Sequence, residues 1–285
     1  MEQFIISGFA DEISPDLDTQ IKVIKDLNMK FIECRGVNGK NLIDYSVKEA
    51  EAIKKQLDEA GIKLSSLGSP IGKIQITDDF EAHLKQFQHA VEIAAVMDTK
   101  NIRMFSFFVP EGTADSHESQ VFRQMERMVD YAASHHVVLL HENEKEIYGD
   151  VAIRCKRLME RFYSDHFKAV FDFANFVQCG QDTLEAYDML APYVDYIHIK
   201  DARKEDGFVV PAGMGDGNVE VILKKLKEKG FHGFLSLEPH LADFVGFAAL
   251  ENGNAEEKNV IPGETAFVTA YNALQKILKK IGCDF

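Results

Sequence analysis

Strand and helix alternate from one end of this sequence to the other, and that alternation limits the fold more than any other feature. Short β-rich runs recur as FIIS (4–7), KFIECR (30–35), IKLSSLG (62–68), NIRMFSFF (101–108), VVLLHE (137–142), FKAVFD (167–172), VDYIHIK (194–200) and GFLSLE (233–238). Between them, apolar residues fall at helical spacing, as in Leu17–Ile21–Ile24–Leu27, Ala50–Ile53–Leu57 and Val219–Ile222–Leu223–Leu226. Several of these helices close on a glycine that leads into the next strand, which suits a left-handed cap. Eight units in 285 residues leave about 36 residues each, enough for one βα unit. Such alternation means a parallel sheet, either open and doubly wound or closed into a barrel. Eight units, no dinucleotide fingerprint and no shift in composition favour a single (β/α)8 TIM barrel over residues 1–285. ENGNAEEKN (251–259) is expected as a surface loop before a closing helix at about 264–281.

Hydrophobic residues make up 46% and charged residues 27%, a globular balance that excludes wholesale disorder. Lys and Arg number 32 against 46 Asp and Glu, a formal charge of −14. That field repels phosphate backbones and anionic lipid, so neither a nucleic acid nor a membrane surface is expected as a partner. No apolar run approaches the ~20 residues of a membrane span. The opening MEQFIISGFADEIS has no basic region ahead of its apolar stretch and is not expected to be a signal peptide. Cys34, Cys155, Cys179 and Cys283 form no CxxC pair and read as reduced thiols of a cytoplasmic protein.

In such a barrel the chemistry sits at the C-terminal ends of the strands. Four consecutive strands end in a metal-compatible residue: Glu142, Asp172, His198 and Glu238. A carboxylate at the end of a buried apolar strand must be paired or ligated. One such position is unremarkable; four at one level form a constellation, with a buried ion-pair network as the alternative. Three carboxylates and one imidazole suit a single divalent metal, Mn2+ foremost, with Mg2+, Co2+ or Zn2+ as substitutes.

The stretches GFADEI (8–13), FIECRGVNGKN (31–41), SSLGSPIGKI (65–74), HENEKEIYGD (141–150), FDFANF (171–176), HIKDA (198–202) and LSLEPH (235–240) carry a resemblance. From Gly8 to about Phe247 the chain is similar to the sugar isomerase/epimerase superfamily with the xylose isomerase-like barrel, and to its sugar phosphate isomerase/epimerase proteins. The resemblance implies that the four residues hold one divalent metal and that Glu142 and Glu238 transfer the protons, as in the ketose 3-epimerase branch. It also implies a small sugar or polyol substrate and association as a dimer or tetramer. The chemistry agrees. Removing a proton next to a carbonyl needs a base, a metal stabilises the resulting enediolate, and a second carboxylate returns a proton on the other face.

Strand alternation sorts the substrate contacts. Glu33 and Arg35 share a face, to bind substrate hydroxyls or to pair structurally. Arg103 lies in the same layer, with a buried salt bridge as its alternative. Lys200 shares a face with His198, to meet a substrate oxygen or to pair with Asp172 or Glu238. Asn175 stands where several relatives carry a substrate-binding histidine, so it keeps hydrogen bonding and loses titration. Asp201 and His240 are expected to orient loops, and His141 to pack its satisfied ring against a helix. Phe105, Phe107 and Phe108 read as core, with one ring available to a sugar face. Two glycine loops are candidates for phosphate: GSPIGK (68–73), ending in Lys73, and PAGMGDGN (211–218), with Lys204 nearby and plain loop flexibility as the alternative reading.

The expected function is a metal-dependent isomerase or 3-epimerase of a ketose, ketose phosphate or keto-inositol. A lyase like the inosose or dehydroshikimate dehydratases would use the same site. The apurinic endonuclease branch needs extra histidines where this chain has Gly68, Arg103 with Ser106, and Asn175, and is set aside. A non-enzymatic carbohydrate-binding role would be favoured by loss of a ligand, and all four are present.

Overall fold

The computed structural model describes residues 4–242 and 261–283; the expected loop at 251–259 lies outside the described residues. Eight strands follow the eight β-rich runs: β1 (Phe4–Gly8), β2 (Phe31–Cys34), β3 (Lys63–Leu67), β4 (Asn101–Met104), β5 (Val138–Glu142), β6 (Phe167–Asp172), β7 (Val194–Ile199) and β8 (Gly233–Leu237). They hydrogen-bond in parallel in the order β1-β8-β7-β6-β5-β4-β3-β2. A parallel bridge between Phe9 and Glu33 joins the first strand to the second and closes the ring. The (β/α)8 TIM barrel expected from the sequence is the observed fold.

Helices α1 (Leu17–Asp26), α2 (Val47–Glu59), α3 (Phe80–Val96), α4 (Ala114–Ser134), α5 (Ala152–Phe162), α6 (Phe173–Gln178), α7 (Thr183–Leu190), α8 (Val219–Glu228) and α9 (Gly263–Lys280) surround it. Their starts are written locally. Asp16 accepts from Thr19 N–H at 2.8 Å, and Ser46 with Glu49 forms a reciprocal capping box. The main core lies between the sheet and the helices, where Ile53, Leu57, Ile222 and Leu223 are buried. A second, smaller core of Val138, Leu140, Val170 and Tyr196 fills the barrel's interior toward its N-terminal end.

The fourth run ends earlier than its composition suggests. After Met104 the backbone leaves the sheet and zips onto the GSPIGK loop: Phe105 N–H donates to Ile71 O at 2.8 Å and Phe107 N–H to Gly72 O at 2.9 Å. Gly72 has φ +89° there, and a Cβ on it would lie 2.0 Å from Phe105 O, so only glycine fits. Two small antiparallel ribbons, Gly36–Val37 with Lys40–Asn41 and Asp201–Ala202 with Val209–Val210, add to the barrel's mouth.

Candidate active site

Four barrel strands converge on one point. Glu142 and Asp172 end β5 and β6, His198 lies one residue from the end of β7, and Glu238 directly follows β8. All four are buried, and one donor atom from each lies within 4.8 Å of the others. His198 Nδ1 is 2.9 Å from Glu142 Oε1, 3.5 Å from Glu238 Oε2 and 4.0 Å from Asp172 Oδ2. Its Nε2 faces the opposite way and pairs with Glu33 Oε2 at 3.1 Å, an oxygen that also accepts from Ser236 Oγ at 2.7 Å. A carboxylate on the far nitrogen keeps a proton there, so that Nδ1 would be the nitrogen to face a cation once its own proton is displaced. Glu33 is fully buried behind the imidazole. Of the two roles expected for Glu33, substrate contact or structural pairing, the structure shows a pairing, with His198 Nε2.

Cations press on the carboxylates. Lys200 Nζ lies 3.0 Å from Glu238 Oε2 and 3.3 Å from Asp172 Oδ2. Arg103 donates from Nη1 to Glu142 Oε2 at 2.8 Å and from Nη2 to Gly68 O at 3.2 Å. Arg35 reaches Asp11 Oδ2 at 2.7 Å, Glu12 Oε1 at 3.3 Å and Glu238 Oε1 at 3.4 Å. For Lys200 and Arg103, the ion pairs left open by the sequence are what the structure shows. Asn175 Nδ2 donates to Glu142 Oε1 at 3.3 Å, and its backbone N–H to Asp172 Oδ1 at 2.7 Å, so it holds two of the four clustered residues at once. Lys204 is exposed on the turn of the 201–210 ribbon, its backbone N–H on Asp216, and none of its contacts reaches the ligand set.

These surroundings decide the protonation of the cluster. Burial pushes Asp172 up, Glu238 and Glu142 push it further against Lys200, and its carboxyl reaches about 7. Burial raises Glu142 too, but His198 and Arg103 outweigh it and hold that carboxyl at about 2. Burial disfavours a charged His198, yet Glu142 and Glu33 more than offset it and hold the imidazole well above its ordinary value. Positive charge is thus demanded at this point. Asp172 Oδ2 accepts no hydrogen bond from the described residues and faces the Lys200 ammonium at 3.3 Å, so it has lone pairs left for a further cation. Three carboxylates and one oriented imidazole fit a divalent metal, whose binding would displace the protons held here.

Residues 21–262 match the xylose isomerase-like TIM barrel family. The chain belongs to that family. A 3-dehydroshikimate dehydratase of Bacillus anthracis is 21% identical over 252 residues, covering 85% of this chain and 87% of the relative. A D-allulose 3-epimerase from Methylomonas sp. has a similar structure, with a TM-score of 0.75 at 14% identity over 98% of this chain and 99% of that one. The IolI protein, solved with a zinc atom bound, gives a TM-score of 0.74 at 16% identity over 99% of each chain. At such identities the structural likeness speaks for the barrel and not for the substrate.

Within this xylose isomerase-like barrel, three site residues escaped the sequence reading. Asn143 clamps β5 to β6, donating to Asp172 O at 3.0 Å and accepting from Asp172 N–H at 2.9 Å. Glu12 lies just beyond β1, where its Oε2 accepts the His240 backbone N–H at 2.7 Å. Its signal was a carboxylate soon after a strand end. Glu144, two residues beyond β5, holds Lys73 at 2.9 Å. His240 was expected to orient a loop; its ring also approaches Glu238 Oε1 at 3.4 Å. With Glu12 and Glu238 it forms a second acidic group, already threaded by the Arg35 guanidinium.

Two expectations are overturned. His141 is buried, but its Nε2 has no hydrogen-bond partner among the described residues, and burial pulls the ring down to about 4. The ring is not fully satisfied. The PAGMGDGN loop does not offer its amides to a phosphate: the Asp201 carboxylate accepts from Gly213, Gly215 and Gly217 N–H at 2.9, 3.0 and 2.9 Å. A Cβ at Gly215 or Gly217 would lie 2.5 or 2.7 Å from Asp201 Oδ1, which accounts for those glycines. Asp201 anchors that loop, as its outward position suggested.

Proposed function

We propose that this chain is a metal-dependent enzyme that moves a proton at the carbon next to a carbonyl of a polyhydroxy ketone, as an isomerase or 3-epimerase. The observation that supports this reading is the convergence of two buried carboxylates, Glu142 and Glu238, on His198 Nδ1, 2.9 and 3.5 Å from it. When bound by Glu142, Asp172, His198 and Glu238, a divalent cation supplies Lewis-acid polarisation of the carbonyl and its neighbouring hydroxyl. Mn2+ is the first candidate. The zinc of the IolI protein supports Zn2+ as a second.

The chain's own residues do the rest. Arg103 and Asn175 fix Glu142, while Lys200 and Arg35 fix Glu238. Both carboxyls are held well on the acid side of neutrality, so each is ionised and able to accept a proton. One carboxylate removes the proton from one face of the substrate and the other delivers a proton to the opposite face, which inverts the centre. If the substrate carries a leaving hydroxyl one carbon further on, the same abstraction leads to elimination. The 21% identity to a dehydratase keeps that lyase outcome as the second reading.

Incubating metal-loaded protein in D2O with ketoses, ketose phosphates, inososes and 3-dehydroshikimate, read by NMR, tests the proposal. Deuterium on the carbon next to the carbonyl with a new stereoisomer is the expected result. An elimination product would promote the lyase. Absence of exchange across the whole panel would contradict both.

A further inference from the structure

Beside the ligand set, the mouth of the barrel holds a cleft of about 270 Å³, lined among others by Asp11, Arg35, Lys40, Lys73, Arg103 and Phe105. Four of these six are cations, in a chain whose net charge is −14. The two arginines form its inner wall and reach through to the ligand set, Arg35 to Glu238 and Arg103 to Glu142. Further out, Lys73 Nζ lies 4.3 Å from the centre of the Phe105 ring, a ring that also receives the Arg103 guanidinium at 4.6 Å. At the rim, Lys40 is exposed on the 36–41 ribbon with its ammonium over the Tyr45 ring at 4.3 Å.

The inner and outer cations have different work. Arg35 and Arg103 are committed to the carboxylates that would hold the metal. Lys73 has Glu144 behind it, and among the described residues no carboxylate pairs with Lys40. Lys40 is exposed and open to an anion, while Lys73, with three donors on its ammonium, can meet one beside Glu144. Of the two glycine loops at the mouth, the one after β7 already carries its own anion, Asp201. The one after β3 ends in Lys73 and faces the cleft.

We propose that the substrate carries an oxyanion, a carboxylate or a phosphate, which Lys73 and Lys40 receive while the carbonyl end passes between Arg35 and Arg103 to the ligand set. This rests on the reading of the site as a metal-dependent carbonyl enzyme and narrows its substrate from neutral ketoses to anionic polyhydroxy ketones. At about 270 Å³ the cleft falls just below the usual span of ligand pockets, about 300–1,000 Å³, so the substrate is of single-sugar size. The chain's overall field opposes an approaching anion. Its binding therefore depends on these short-range pairs, and their removal is measurable.

The test is calorimetric titration of the metal-loaded protein with inorganic phosphate and, separately, with malonate. It compares wild type, Lys73→Gln, the double variant Lys40→Gln/Lys73→Gln, and Lys73→Arg. At least one anion is expected to bind, with affinity about tenfold or more weaker in the double variant and largely retained in Lys73→Arg. The anion that binds better tells phosphate from carboxylate. If Lys73→Gln fails to fold, the charge-conserving Lys73→Arg together with Lys40→Gln alone carries the comparison. Undiminished affinity in the variants would place the anion on the metal alone and overturn the proposal, as would no binding to wild type. Deuterium exchange judges the underlying reading separately. Exchange into neutral ketoses without any anion binding sinks this inference and spares that reading; anion binding without exchange into any ketone does the reverse.

Discussion

The two ends of the barrel's interior are built from the same strands and do opposite things. Toward the N-terminal end lie Val138, Leu140, Val170 and Tyr196, packed against Phe234. One or two inward steps further along those strands lie Glu142, Asp172, His198 and Glu238. Between them runs a polar layer in which Ser65 Oγ meets Ser7 Oγ at 2.6 Å and Tyr196 Oη at 2.8 Å, and Ser236 supports Glu33. The difference teaches how a βα barrel divides its labour. The lower layers gain stability from apolar burial, whereas the upper layer concentrates buried like charges that only cations and protons can balance.

The largest expected effect falls on the upper end. Glu142→Gln and Glu238→Gln should each lower deuterium exchange by about 10²–10⁴-fold, read by NMR in D2O. Retained exchange in either variant would remove the two-base mechanism and leave the upper layer as a mere ion-pair network. The lower end should answer in the other currency. Leu140→Ala is expected to cost about 2–5 kcal/mol in urea unfolding while metal affinity stays unchanged. A change in metal affinity there would mean that the two ends are not independent.

His141 sharpens the comparison on the strand that joins both ends, because it faces outward from β5 with an unmet nitrogen. Its folded value of about 4 lies below the ordinary value near 6.5, so the folded state binds fewer protons than the unfolded one. Its contribution is complete above about pH 6.5 and is lost as the pH falls toward 4, by about 3 kcal/mol. Wild type should lose about that much more stability than His141→Leu between pH 7 and pH 4, measured by urea unfolding. Equal losses would show that the ring finds a partner. The smallest effect belongs to the layer between. Glu33→Gln should weaken metal binding by about 10–100-fold through the His198 orientation, with the fold retained. An unchanged affinity would mean that Nδ1 is oriented without it.

Much of this was legible in the sequence, and the reasons are physical. A carboxylate that ends an apolar strand is costly enough to announce itself, so Glu142, Asp172 and Glu238 stood out, and the barrel brought them together with His198. Strand alternation told inward from outward for Asp201. It could not tell above from below: Glu33 faces inward as read, but sits behind the imidazole. Residues past the strand ends were harder still. Glu12, Asn143 and Glu144 lie on connections whose path follows from packing and not from period. The glycine-rich loop after β7 misled because glycines that wrap a phosphate and glycines that wrap an aspartate look alike in sequence. The partner of its amides, Asp201, lies 12 to 16 residues earlier in the chain.

The central claim is that the upper layer of this barrel is a cation site. Titrating the metal-free protein with Mn2+, with free metal followed by electron paramagnetic resonance, tests it most directly. The account predicts one Mn2+ per chain, with binding lost when Asp172 and His198 are both replaced by alanine. No binding to wild type, or equal binding to the double variant, would contradict it.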